Sequence, residues 1–208
     1  EQILEENVSR IQGIAATHDL LSTAELGMAP VDEIARKIVG IVRGNLVPPE
    51  LRIRFHISRA PFPVPSEQAT TLAIVLNEVI ANAIEHGFGG RDRGEIRISG
   101  ALQGDAIVLR IADDGKGLPT GFSIEKADGM GLQLVRRLVE SELHGSVHIH
   151  KLEGSPDLDG APDDQGARIT DPLLPSVVVE STEQSEAPAE QRWTITELRF
   201  PVVITESQ

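Results

Sequence analysis

Residues 77–88, NEVIANAIEHGF, are the stretch whose reading decides the fold. At about 100° per residue, a helix running into this stretch puts Leu72, Leu76, Val79 and Ala83 on one apolar stripe. Glu78, Asn82 and His86, spaced four apart, form a polar stripe beside it, at the rim of the buried face. An Asn inside a helix costs about half a kcal/mol or more relative to Ala, so its presence asks for a use. Carboxylate and carboxamide oxygens one turn apart are hard ligands suited to magnesium, and the pairing suggests a metal or phosphate site. A solvent edge that happens to contain Glu, Asn and His gives the same pattern, so the helix alone does not decide.

A chain of 208 residues allows one domain of ordinary size, or one domain with an appendage. Hydrophobic residues make up 40%, enough for a core, but aromatics are only 3%. The core must therefore come from Val, Ile, Leu and Ala, and few rings remain on which bases could stack. A formal charge of -13 repels a phosphate backbone, so neither nucleic acid nor an anionic membrane surface is expected as a main partner. The absence of cysteine excludes disulfides and thiolate chemistry and fits a reducing, cytoplasmic compartment. No apolar run is long enough to cross a bilayer, and no signal-peptide pattern opens the chain. The first residue is Glu1 rather than Met, as expected of a piece of something longer.

Along the chain, residues 1 to about 23 repeat apolar positions at three and four, which predicts one long amphipathic helix needing a partner for its stripe. His18 on that helix reads as structural. A second helix is expected over 31–46, stopped before Pro48 and Pro49. Residues 51–58, LRIRFHIS, alternate as a strand with one wet face. Prolines between Pro61 and Pro65 enforce an extended turn, Ser66 offers a cap, and the central helix is expected over 67–86, ended by Gly87, Gly89 and Gly90. Strands follow at 95–101 and 106–112, joined by a tight hairpin at Gln103, Gly104 and Asp105. After a glycine-rich loop come a helix over 131–143, a strand over 145–151, and one long or two short strands over 192–204.

Residues 152–191 differ in kind, being acidic and rich in Pro, Gly, Ser and Gln, with Arg168 as their only base. They read as a solvated, mostly disordered insertion. Within it, ITDPLLPSVVV at 169–179 is apolar enough to dock somewhere. The expected architecture is α+β: a helical N-terminal piece, then a two-layer sandwich in which three helices cover one face of a mixed β-sheet.

Two further motifs carry chemistry. Asp113, Asp114, Gly115, Lys116, Gly117, Leu118 and Pro119 follow directly on an apolar strand. Gly115 and Gly117 allow positive φ and close approach of a ligand, and a carboxylate at the strand end accepts a hydrogen bond from an exocyclic amine such as that of adenine. A simple Asp-Gly hairpin is the common alternative, but the residues that follow do not alternate and so cannot be a returning strand. Gly129, Met130, Gly131 and Leu132 open a helix, where free backbone N–H groups and the helix dipole favour a phosphate.

The order of these elements is specific: E-x-x-x-N on a helix, a strand ending D-D-G-x-G, a loop, then G-x-G opening a helix. It resembles the nucleotide-binding domain shared by DNA gyrase, the Hsp90 chaperones, MutL and the histidine kinases, over roughly residues 50–151 plus the terminal strand. The resemblance implies a Bergerat-type ATP-binding fold with ATP and magnesium as cofactors. Carried over by position, it implies that Asn82 holds the magnesium, Glu78 acts as the polarising catalytic base and Asp113 reads the adenine amine. Gly115 and Gly117 would shape the pocket edge, Gly129, Gly131 and Leu132 would belong to the lid over the phosphates, and His86 would be a phosphate neighbour.

The run RIQGIAATHDLLS, then LAIVLNEVIANAIEHGF, then DDGKGLPTGFSIEKADGMGLQLVRRLVE is similar to the histidine kinases of the type 2 subgroup. On that likeness residues 1–28 end the dimerisation helical domain and 29–208 form the ATP-binding catalytic domain. The activity implied is transfer of the ATP γ-phosphate to a histidine on an earlier helix for which this chain holds no match, so His18 is not that residue. A response regulator and homodimerisation through the N-terminal helix are the implied partnerships. Glu85 stands where family members often carry Lys, and the glycine-threonine pair before the final strand is replaced near 192–196. An anti-sigma-factor-type serine kinase shares a similar central helix motif and is the alternative enzyme; a non-catalytic scaffold is the alternative outside catalysis.

Overall fold

The structure, a computed structural model, describes residues 8, 11, 12, 15, 27–124, 130–154, 156 and 192–202. Its elements in chain order are β1 (Met28–Pro30), α1 (Val31–Asn45), β2 (Arg52–Ile57), β3 (Pro63–Pro65) and α2 (Ser66–Asn82), the last continued by a π-helical turn at Ala83–Gly87. Then follow β4 (Arg93–Gln103), β5 (Ala106–Asp113), α3 (Met130–Ser141), β6 (Ser146–Glu153) and β7 (Arg192–Pro201). The main sheet has the order β2-β4-β5-β7-β6. Only β2 and β4 run parallel; every other neighbouring pair is antiparallel, so the sheet is mixed, as expected.

Local chemistry accounts for the elements. Asp32 and Glu33 lie in the first turn of α1 and Arg43 in its last, each complementing the helix dipole, and Asp32 pairs with Arg36 at 2.7 Å. In β2, Ile53, Phe55 and Ile57 turn inward while Arg52, Arg54 and His56 stay exposed, the alternation that its sequence predicts. The pair Gln103↔Ala106 closes a two-residue turn in which Gly104 takes φ 65°, a conformation open to glycine at little cost. The terminal segment forms one strand rather than two.

Three local expectations need correction. The proline-rich stretch is not all turn: β3 pairs antiparallel with β1 through Met28↔Pro65, Ala29↔Val64 and Pro30↔Pro63. Proline argues against strand because it donates no hydrogen bond, but a three-residue ribbon at an edge tolerates it, and the Val31 and Asp32 N–H groups donate to Phe62 and Ala60 carbonyls at 3.0 and 3.2 Å. Ser66 does not cap α2. Pro65 holds that position without a side-chain cap, and the Ser66 carbonyl accepts the Thr70 hydroxyl at 2.9 Å.

The third correction concerns α2, which is not amphipathic. Of its 17 residues, Gln68, Ala69, Thr71, Leu72, Ala73, Val75, Leu76, Asn77, Glu78, Val79, Ile80 and Ala81 are buried. The helix packs against both α1 and α3, so it is covered on more than one side. The main core joins Leu72, Leu76 and Ile80 with Ile34 and Ile38 of α1 and with Ile96, Ile98, Ile107 and Leu109 of the sheet. A second, small cluster of Ala112, Trp193 and Ile195, with Leu152 beside it, lies on the opposite sheet face.

Of the expected N-terminal helix only residues 8, 11, 12 and 15 are described; they are helical and exposed. His18, Gly129 and most of the insertion 152–191 lie outside the described residues. Among those described, no helix is long and apolar enough to cross a membrane.

Candidate functional site

The three sequence motifs meet at the C-terminal half of α2. Glu78 is 7% exposed. Asn82, one turn further and half-buried, donates from Nδ2 to the Glu78 carbonyl at 2.8 Å. That bond takes one of the two amide N–H donors and leaves Oδ1, a hard neutral oxygen, as an acceptor available to a ligand. Beyond Asn82 the helix loosens, and the Phe88 N–H reaches back five residues to the Ala83 carbonyl at 3.2 Å. A π turn advances less per residue than an α turn, so the four-residue spacing that aligned Glu78, Asn82 and His86 no longer holds. His86 is exposed, while Ile84 and Phe88 are buried and anchor the helix end.

That end is pressed against the loop after β5. A Cβ built on Gly115 would lie 2.7 Å from the Gly87 Cα and 2.9 Å from the Gly87 oxygen, so only glycine permits this approach. The Lys116 N–H donates to the Gly87 carbonyl at 2.9 Å, and Gly117 has φ 80°. Phe88 carries the contact on to β4: its ring would be 2.5 Å from a Cβ on Gly94. None of Gly87, Phe88 or Gly94 was marked out for the site by the sequence, because a glycine that ends a helix and one that receives a ring look alike in one dimension.

The two adjacent aspartates have different environments. Asp114 is built into the sheet: its Oδ1 accepts the Glu95 N–H at 2.7 Å, its own N–H donates to the Glu95 carbonyl at 3.1 Å, and Arg91 Nη2 lies 3.6 Å from Oδ2. Asp113 Oδ1 accepts the Gly115 N–H at 3.0 Å. Burial pushes the Asp113 carboxyl up to about 6; the Gly115 bond opposes that shift, Asp114 adds to it and Arg91 opposes it. An ionised carboxylate in such a place is costly unless a donor meets it, and an exocyclic amine is a donor of that kind.

The third motif closes the other side. A Cβ on Gly131, in the first turn of α3, would lie 2.9 Å from Glu78 Oε2 and 3.5 Å from Asn82 Nδ2. Leu132 next to it is half-buried, and Val135 and Val139 seat the helix in the core. Glu78, Asn82 and Gly131 thus form one cluster, and Asp113, Gly115 and Gly87 a second, one π turn further along the helix. Among the described residues no group of three or more His, Asp or Glu could hold a metal unaided. Asn82 Oδ1 is the hard oxygen of the first cluster, a donor that could hold a divalent ion together with oxygens of a ligand.

The fold and these clusters belong to a known class. The family described as histidine kinase-, DNA gyrase B- and HSP90-like ATPases matches residues 67–201, and the chain belongs to that family. Among curated proteins it is similar to the sensor histidine kinase PdtaS of Mycolicibacterium smegmatis, at 35% identity over 150 residues, 72% of this chain and 30% of that protein. The chain therefore spans about a third of that relative's length. An anti-sigma F factor of Bacillus licheniformis is 34% identical over 103 residues, 41% of this chain and 70% of that protein. The histidine kinase domain of the blue-light activated histidine kinase from Erythrobacter litoralis EL346 superposes with a TM-score of 0.64 over 95% of this chain and 79% of that one. At 15% identity this likeness shows the fold.

Proposed function

We propose that the chain is the ATP-binding catalytic part of a sensor histidine kinase, with residues 29–208 as the nucleotide domain and 1–28 as the end of a dimerisation helix. The observation that carries this reading is the close approach of Gly131 to Glu78 and Asn82, which sets the lid motif against the proposed metal and base residues. Asn82 Oδ1 would hold magnesium, which when bound neutralises phosphate charge in the transfer. Asp113 would accept the adenine amine, and Gly115 and Gly117 would let the base lie close to the backbone. Glu78 would polarise the acceptor imidazole; Gly129, Gly131 and Leu132 would close over the phosphates, with His86 near them. In the transfer the imidazole nitrogen bonds to the γ-phosphorus as its bond to the bridging oxygen breaks and ADP leaves. Positioning and charge neutralisation supply most of the rate.

The acceptor histidine lies on a helix with no match in this chain, so the chain by itself should bind ATP without phosphorylating itself. The partners on this reading are a second copy through the N-terminal helix and a response regulator, in the cytoplasm where ATP is available. Titration of a non-hydrolysable ATP analogue tests it. Binding should tighten with magnesium, Asn82→Ala should remove about a tenfold magnesium-dependent gain, and Asp113→Asn should weaken binding in either condition. Absence of binding, or indifference to Asp113→Asn, would overturn the reading.

The likeness to the anti-sigma F factor favours a second reading, serine kinase activity on a partner protein. It covers only 41% of the chain, whereas the histidine kinase match covers 72%. A longer chain carrying the upstream helix separates them: acid-labile phosphohistidine supports the first, and acid-stable phosphoserine on a partner supports the second.

A further inference from the structure

Arg91 and Asp114, 23 residues apart in the chain, meet beside the loop that follows Asp113. Phe88 to Arg91 form a turn between the end of α2 and the start of β4. The Arg91 N–H donates to the Phe88 carbonyl at 2.9 Å, and Gly90, third of the four, takes φ 80°, a conformation open to glycine at little cost. The turn carries the Arg91 side chain back over its own start, where the guanidinium carbon lies 5.7 Å from the centroid of the buried Phe88 ring.

From there Arg91 reaches Asp114 twice. Its Nη1 donates to the Asp114 carbonyl, and its Nη2 lies 3.6 Å from Asp114 Oδ2. A planar guanidinium presents its donors in a fixed fork, so one side chain holds a main-chain and a side-chain oxygen of the same residue together. The other polar groups of Asp114 go to β4: Oδ1 accepts the Glu95 N–H at 2.7 Å, and the Asp114 N–H donates to the Glu95 carbonyl at 3.1 Å. An exposed pair of opposite charges contributes little, but the Asp114 side chain is only 13% exposed, against 37% for Arg91, and its bonds set the course of the backbone.

What is fixed in this way is the neighbourhood of Asp113. The pairs Ile96↔Asp113 and Asp113↔Thr194 hold that residue from the strand side. Asp114 pins the next position, and two residues further the Lys116 N–H donates to the Gly87 carbonyl at 2.9 Å. The Gly115 N–H, between these two ties, is the donor that meets Asp113 Oδ1 at 3.0 Å. Arg91 also favours the ionised form of Asp113, opposing the effect of Asp114.

On the nucleotide reading of the site, we propose that Arg91 is a positioning residue: through Asp114 it holds the loop 114–117 against the end of α2 and so sets the Asp113 carboxylate for the base. It acts without touching the ligand, and its effect falls on the base end alone.

The full chain with Arg91→Ala or Arg91→Lys tests this in two measurements. Without nucleotide, amide hydrogen exchange at Gly115 and Lys116 should quicken about tenfold in Arg91→Ala, as for loss of a hydrogen bond from a charged group, while exchange at Leu109 in β5 stays as it was. Arg91→Lys, which keeps the charge but not the fork, should fall between. With nucleotide, Arg91→Ala should weaken adenosine and a non-hydrolysable ATP analogue by the same factor, about tenfold, and leave the magnesium-dependent gain of the analogue unchanged. Weaker analogue with unchanged adenosine would overturn the proposal, because Arg91 would then act on the phosphates. Unchanged exchange or unchanged affinity in Arg91→Ala would overturn it too, as would faster exchange throughout the sheet, which marks a general loss of stability. A parent chain that binds no nucleotide overturns the nucleotide reading instead, and exchange at Gly115 and Lys116 then still decides whether Arg91 holds the loop.

Discussion

The two ends of the candidate site are closed in different ways. At one, backbone meets backbone: a Cβ on Gly115 would strike the Gly87 Cα and carbonyl oxygen, and neither can move without shifting the end of α2 or the end of β5. At the other, backbone meets the tips of side chains: a Cβ on Gly131 would meet Glu78 Oε2 and Asn82 Nδ2. The first end is thus rigid by construction, and the second can adjust by rotation of a carboxylate. A pocket edge that reads a flat base benefits from the first, and a lid that must admit and release a charged ligand benefits from the second.

The comparison breaks or sharpens under substitution. Gly115→Ala should have the largest effect, because overpacking against immobile backbone costs about 1–3 kcal/mol and displaces Asp113. A lowered melting temperature together with lost nucleotide binding is the expected result; normal binding would mean that the contact is not rigid. Next in size, Asp113→Asn should weaken an ATP analogue by about 10- to 100-fold, the worth of a hydrogen bond to a charged group. It should do so with no loss of stability at pH 7, since the carboxamide can still accept the Gly115 N–H.

The same residue predicts a pH dependence. Its folded pKa, about 6, lies above the ordinary 3.8, so the folded state holds this proton more tightly than the unfolded chain does. Its favourable contribution is complete below 3.8 and is lost as pH rises through about 6. Relative to the parent, Asp113→Asn should therefore gain stability between pH 4 and 6, by up to about 3 kcal/mol. Urea titrations across that range measure it, and parallel curves would refute the shift. Nucleotide affinity should move the opposite way, falling as Asp113 protonates below about 6.

The smallest effect belongs to the adjustable end. Gly131→Ala should leave stability within about 1 kcal/mol and weaken ATP several-fold while leaving adenosine binding unchanged. A collapse of stability comparable to that of Gly115→Ala would show that the two ends are equally rigid.

Much of the sheet was legible because its strands alternate in the simplest way. Ile53, Phe55 and Ile57, or Ile96 and Ile98, take one side by the two-residue period of a strand, and the Gly104-Asp105 turn needs only local chemistry. The β1–β3 ribbon was not legible, since the rule that keeps proline out of strands concerns sheet interiors and not a three-residue edge pair. Nor was the burial of α2 on more than one side, because Asn77 and Glu78 look like solvent residues until α1 and α3 are both packed on the helix.

By itself the sequence determined the order of the three helices and of the five strands of the main sheet, the mixed α+β class and the membership of Glu78, Asn82, Asp113 and Gly131 in recognisable motifs, because these depend on residue type and short spacings. Only the tertiary structure decided which groups meet. It separated Asp114, bonded to Glu95, from Asp113, half-buried with a raised pKa. It turned His86 out through a π turn that no four-residue spacing reveals, and it set Gly87 against Gly115, two positions 28 residues apart. Burial, close approach and a shifted proton affinity are properties of what surrounds a residue, and those surroundings exist only after distant segments have packed.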